Sequence, residues 1–129
     1  MINLTIDSQK DCYQLDSLKL AALQQGDNTT TLEPGNYQIK IISGEFSYWS
    51  DGTRLFPPEP WVVLWIYGGQ VVNQKTNRQV GYTWSSLNGY DDILHLKVVE
   101  TTQISAISFD TYSQDNQGEV TLEIIKTNQ

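Results

Sequence analysis

The sequence predicts an all-β fold: an antiparallel β-sandwich of jelly-roll type, built as a single domain over residues 1–129. Two observations predict it. Apolar residues recur with a period of two along most of the chain, as half-buried strands require when successive side chains point to opposite faces. Clusters of Gly, Pro, Asn and Asp cut those runs into short pieces at close spacing, with no internal repeat and no low-complexity linker. A chain of 129 residues is long enough to bury a core without a disulfide staple.

Taken in order, the first segment is the ambiguous one. In LDSLKLAALQQG, residues 15–26, Asp16 or Ser17 suits a helix cap and Gly26 a helix stop. Leu18, Leu20 and Ala22 also alternate, and because every neighbour is a strand, a strand is the preferred reading. Tyr37, Ile39 and Ile41 then alternate with Gln38, Lys40 and Ile42. Leu94, Leu96 and Val98 flank His95 and Lys97; Ile104, Ala106 and Ser108 alternate with Ser105, Ile107 and Phe109; Val120, Leu122 and Ile124 complete the set. Turn signals fall at QQGDN (24–28), EPGN (33–36), SDG (50–52), YGGQ (67–70), LNGYDD (87–92) and QDNQG (114–118). SDGTRLFPPEP, residues 50–60, holds three prolines, which cannot donate to a strand ladder, and reads as a long loop. Such a loop either carries function or packs Leu55 and Phe56 onto the sheet.

Charge and composition exclude several classes. The net charge is −7 with only eight Lys and Arg, scattered through the chain, so the basic face of a nucleic-acid binder is missing. The longest apolar run, WVVLWIYGG at 61–69, is too short to span a membrane as a helix. MINLTIDSQKDC has neither the basic end nor the apolar run of a secretory signal, which predicts a protein that is cytoplasmic or released without a recognisable signal peptide. Cys12 is the only cysteine and is expected as a small, partly buried side chain.

The stretch SFDTYSQDNQGEVTLEII, residues 108–125, concentrates Asp110, Asp115 and Asn116 at one strand-to-strand connection. Asp, Asn and Gly are ordinary turn residues, and Asx-turn chemistry accounts for Asp115 and Asn116 by itself. The same oxygens also suit calcium, which takes six to eight hard oxygen ligands from carboxylates, amides and backbone carbonyls. The loop lacks the D-x-D-x-D-G spacing of an EF-hand.

The order GNYQIKIISGEFSYWSDG, then WVVLWIYGG, GYTWSS and ISFDTYSQDNQGEVTLEI resembles the small soluble calcium-dependent, galactose-binding bacterial lectins, over roughly residues 33–126. The resemblance implies a galactose-binding-domain-like sandwich in which calcium bridges protein and sugar hydroxyls. It implies that Tyr48 gives a backbone carbonyl, Asp110 a carboxylate, Asp115 and Asn116 paired side chains, and Thr111 or Gln114 a loop carbonyl. The His and Gln with which that family contacts sugar have no counterpart in SDGTRLFPPEP.

Four Trp and seven Tyr supply flat apolar faces of the kind that stack on sugar rings. Trp49, Asp51 and Tyr112 flank the expected ligands and are the candidate sugar contacts. Trp61 and Trp65, at even spacing in an apolar run, read as core residues, and Trp84 fits either role. One His, one Cys and no G-x-S-x-G elbow leave no nucleophile or zinc arrangement, so an enzyme is not expected. The expected function is a lectin-like, calcium-dependent carbohydrate-binding module that gains avidity by homo-oligomerising. The alternative is a β-sandwich of the same kind that has lost the sugar site and serves protein interaction or assembly.

Overall fold

The alternation forms strands wherever it is long enough to bury one face. A computed structural model describes residues 1–46, 58–109 and 118–127. Its elements are helix α1 (Ser17–Leu23) and strands β1 (Thr29–Leu32), β2 (Gly35–Gly44), β3 (Trp61–Asn73), β4 (Arg78–Asn88), β5 (Ile93–Glu100), β6 (Thr102–Ile107) and β7 (Val120–Thr127). The strand pairs are antiparallel, in the order β1-β6-β3-β5-β2-β7, with β4 added on β3. The all-β antiparallel expectation holds, and the layers are two leaves of one hydrogen-bonded sheet.

A crease running across the strands makes those leaves. The first half of β3 pairs with β6, from Val63 opposite Ile107 to Tyr67 opposite Gln103, and its second half pairs with β5, from Gln70 opposite Glu100 onward. The break lies at Gly68–Gly69. In register beside it, Thr101 separates β5 from β6, Glu33–Pro34 separates β1 from β2, and Gly81 interrupts the β3–β4 ladder. A Cβ on Gly69 would lie 2.2 Å from the Thr101 carbonyl oxygen and 2.6 Å from that of Glu100, so the two backbones touch where the sheet folds. Thr102 Oγ1 donates to the Tyr67 carbonyl at 2.7 Å and Thr101 Oγ1 to Glu33 Oε2 at 3.0 Å, tying three strands together along the line. YGGQ is therefore a bend inside a strand, not the turn its glycines suggest. The turn that does follow β3 is QKTN, where Asn77 takes the left-handed conformation (φ 58°) that Asn tolerates better than most residues.

Burial parity records the same event. In β3 the buried residues are Val62, Leu64 and Ile66 before the crease and Val71 and Asn73 after it, so one extra residue is absorbed at the glycines. The four apolar ones join Ile39 and Ile41 of β2, Leu94, Leu96 and Val98 of β5 and Ile104 of β6 in one core held between the leaves.

Two expectations are corrected. Residues 17–23 are helical, not a strand: Asp16 caps the helix, its Oδ1 accepting from the backbone N–H of Leu18 (2.9 Å) and Lys19 (3.2 Å). No residue of α1 is buried, so no sheet face was available to favour the strand reading, and local capping decides. Cys12 is exposed, because the segment before the helix lies on the surface. Among the described residues no helix is long and apolar enough to cross a membrane.

The crease yields a matched pair of substitutions. Gly69→Ala forces a methyl against two carbonyl oxygens and is expected to cost about 1–3 kcal/mol, as overpacking does. Gly81→Ala meets nothing nearer than 3.5 Å and is expected to change stability by no more than about 0.5 kcal/mol. Urea unfolding of both variants checks the contrast, and equal effects would remove the close approach as the reason for glycine at position 69.

Candidate functional site

The residues that sequence reasoning assigned to calcium and sugar, Tyr48, Trp49, Asp51, Asp110, Thr111, Tyr112, Gln114, Asp115 and Asn116, lie outside the described residues. The bases of their two segments are described, and they share one corner. Strands β2 and β7 pair as far as Gly44 opposite Val120. A Cβ on Gly118 (φ +99°) would sit 2.2 Å from the Glu45 carbonyl oxygen, so the backbones on either side of that corner are in contact. Chain 45–46 leads into the segment carrying Tyr48, and Gly118 ends the segment carrying Asp110 to Asn116.

The same corner is pinned from three directions. Phe46 and Glu59 exchange backbone hydrogen bonds at 3.0 and 3.1 Å, closing the base of the 47–57 segment. Glu59 Oε1 accepts from Asn88 Nδ2 at 2.8 Å. Tyr90 Oη donates to the Gly44 carbonyl at 2.8 Å, drawing the β4–β5 turn onto the end of β2. Glu45, Glu59 and Glu119 are all exposed around these bases. Beneath the corner an open cleft of about 670 Å³ separates the β1–β6 edge from β7, with Phe46, Val62, Ile104, Leu122 and Ile124 on its walls. Among the described residues no group of three or more His, Cys, Asp or Glu side chains is placed to hold a metal.

A second feature stands on the side away from the core of the first leaf, which comprises β1, β6, the first half of β3 and the part of β4 paired with it. Because Val62, Leu64 and Ile66 point into the core, Trp61, Val63, Trp65 and Tyr67 point outward. The core assignments of Trp61 and Trp65 are thereby overturned: the branched aliphatic residues take the inward positions and the aromatics the outward ones. On the neighbouring strand β4, Tyr82 and Trp84 share that outward face, opposite Tyr67 and Trp65. Trp65 and Trp84 are stacked, centroids 5.4 Å apart and planes within 8°, and Tyr67 leans on Trp65 at 4.2 Å. Tyr82 meets both indoles edge-on near 6 Å (6.1 Å to Trp65, 6.0 Å to Trp84). Trp84 Nε1 donates to Tyr82 Oη at 2.7 Å. Below the rings, Tyr67 Oη, Ser105 Oγ and Thr29 Oγ1 form a chain of hydroxyls at 3.2 and 2.8 Å.

This cluster is not packed as a core is. Tyr82 is 54% exposed, and Trp65, Tyr67 and Trp84 are each only partly buried. Trp65 Nε1 is buried yet has no hydrogen-bond partner among the described residues, a cost of roughly 1–3 kcal/mol that a phenyl ring would avoid. The sequence signal was present in GYTWSS, where Tyr82 and Trp84 alternate with Thr83 and Ser85. WVVLWIYGG concealed it, because that stretch is apolar on both faces and periodicity alone does not say which face is the core.

Comparison with protein-family profiles, with curated proteins and with solved structures gives no match.

Tyr82→Phe keeps the ring and removes the acceptor of the Trp84 indole. The expected loss is at most about 0.5–1.5 kcal/mol, because the bond is exposed to water. Thermal melting measures it, and a larger loss would mean that Tyr82 braces the sheet as a whole.

Proposed function

We propose that the protein is a non-enzymatic carbohydrate-binding module whose sugar is held through a calcium ion at the β2–β7 corner. The observation that carries this reading is the contact between Gly118 and Glu45, which brings the bases of two distant segments together. Calcium takes six to eight oxygens, and a loop without EF-hand spacing can share that shell with a second segment brought beside it. Tyr48 follows the first base by two residues, and Asp115 and Asn116 precede the second by two or three. Asp110 and a carbonyl of Thr111 or Gln114 would complete the protein's share, with Trp49, Asp51 and Tyr112 beside the sugar. Glu45, Glu59 and Glu119 place negative charge around the corner in a chain already at −7, which favours a cation electrostatically.

Thermal melting of metal-stripped protein with and without calcium tests the reading. Binding to the folded state alone raises stability by about 2.7 kcal/mol at a hundredfold excess over the dissociation constant. In Asp110→Ala the calcium response and calcium-dependent binding of methyl β-galactoside are expected to vanish together, with the melting temperature of the metal-free protein unchanged. A variant that still bound the galactoside fully would refute the metal bridge.

A second reading, an assembly domain, has one observation in its favour. Ile2, Leu4 and Ile6 alternate as a strand does, yet they are 89%, 84% and 75% exposed and among the described residues pair with no strand. Asp7, directly after them, accepts backbone N–H bonds from Lys10 and Gln9, which hold its carboxyl below the usual range and fix a turn at the base of this arm. An unpaired apolar strand suits addition to a sheet edge of another copy. Light scattering of the triple variant Ile2→Ser, Leu4→Ser, Ile6→Ser against the parent decides: a multimer that becomes monomeric supports assembly through the arm, and an unchanged mass removes it.

A further inference from the structure

We propose that the outward face of β3 and β4, centred on Trp84 and Tyr82, is a second carbohydrate-binding surface that takes a neutral pyranose ring without calcium. It extends the carbohydrate reading above but shares no residue with the calcium corner.

Four observations lead there. The first is placement. Tyr67, Trp65, Trp84 and Tyr82 stand on the face away from the core, where an antiparallel sheet open to water normally carries polar side chains. None of the four belongs to the buried core cluster, and Tyr82 remains 54% exposed.

The second is ring geometry. The hydrogen bond from Trp84 Nε1 to Tyr82 Oη and the parallel contact with Trp65 fix the Trp84 indole in one orientation before any ligand arrives. A fixed ring loses little entropy on binding, which is where weak sugar contacts gain most. Strand β4 pairs with β3 on one side only over Tyr82 to Asn88, so this ring borders a sheet edge with no further strand beside it among the described residues.

The third is the absence of charge. Although 18% of the chain is Asp, Glu, Lys or Arg, the outward positions of β3 and of β4 from Tyr82 to Asn88 hold none. Ser86 continues the face along β4 toward Asn88, whose amide is held by Glu59 at the far end, and the Gln70 and Gln79 side chains, hydrogen-bonded to one another, border it at the crease. Neutral hydroxyl and amide groups around aromatic rings match a sugar, whose C–H face is apolar and whose rim is hydroxyl. A nucleic-acid partner would instead call for basic contacts to phosphate.

The fourth is the available bonding capacity. Tyr82 Oη accepts the indole proton and keeps its own O–H to donate, so a directional donor stands beside the ring face. The partnerless Trp65 N–H shows that the cluster is not arranged to satisfy itself.

The test uses the full chain in excess EDTA, which silences the calcium corner. The four tryptophan indole N–H resonances are followed by NMR while cellohexaose, and separately methyl β-galactoside, are added. The Trp84 resonance is expected to shift with at least one probe, and Trp84→Ala to weaken that binding by about tenfold, the upper range for one aromatic contact. Tyr82→Ala, at an exposed position, is expected to weaken it in the same direction and serves if Trp84→Ala folds poorly. Asp110→Ala is expected to leave it intact. Absence of any indole shift with both probes in EDTA would overturn the proposal, as would EDTA-resistant binding that neither variant at positions 82 and 84 affects. Binding seen only with calcium and insensitive to both variants would also overturn it, while leaving the calcium corner standing.

Discussion

The structure depends on a backbone-to-backbone contact. Where Gly69 of β3 passes Glu100 and Thr101, there is no room for a side chain, and both strands bend at that point. Because the same line crosses Glu33–Pro34 and Gly81, the whole sheet folds as one piece instead of breaking strand by strand. Folding is what turns a sheet with one apolar face into a core: Ile39, Leu96 and Val71 of one leaf come to face Leu64, Ile66 and Ile104 of the other. A flat sheet of this sequence would leave that face in water, at a loss of about 25 cal/mol for each Å² exposed.

The crease also decides where chemistry can sit. It leaves the two leaves joined at the fold and parted at the far side, so the free edges β1 and β7 border a cleft rather than pairing. The bases of the segments 47–57 and 110–117 meet at this open end, joined by Gly118 against Glu45 and by the Phe46–Glu59 bridge. The outer surface of the first leaf is a by-product of the same geometry. Once Val62, Leu64 and Ile66 are committed inward, the intervening aromatics of β3 have nowhere to go but outward, and those of β4 meet them there.

Much of the framework was legible from side-chain period. The strands around Tyr37–Ile41, Leu94–Val98 and Val120–Ile124 alternate cleanly, one face apolar and the other largely polar, and the fold follows them. The places where reading from sequence failed share a physical cause: the local signal did not contain the deciding partner. Gly68–Gly69 looks like a turn because its reason for being glycine, the carbonyl of Thr101, is more than thirty residues away. Residues 17–23 alternate as a strand and cap as a helix, and only the lack of a sheet edge beside them settles the matter for the helix. Trp65 looked like core because both faces of β3 are apolar, and the choice between them is made by β5 and β6, not by β3 itself. For the proposed calcium corner the sequence supplied residue types, and the fold brings together the bases of their segments.

The two proposed sites put different demands on the protein, and that difference is informative. The proposed calcium corner would draw its ligands from two distant segments of the chain, whose bases meet at Gly118 and Glu45. The aromatic face stands on paired strands, with Trp84 held by Tyr82 and Trp65, and has little left to order. A sugar chain long enough to reach from corner to face would meet two sites on different leaves of one sheet. Engaging the second then becomes an intramolecular event at raised effective concentration. Weak individual contacts are sufficient under that arrangement, which is why a partly exposed ring cluster and a negatively charged corner, each modest by itself, make physical sense on one small domain.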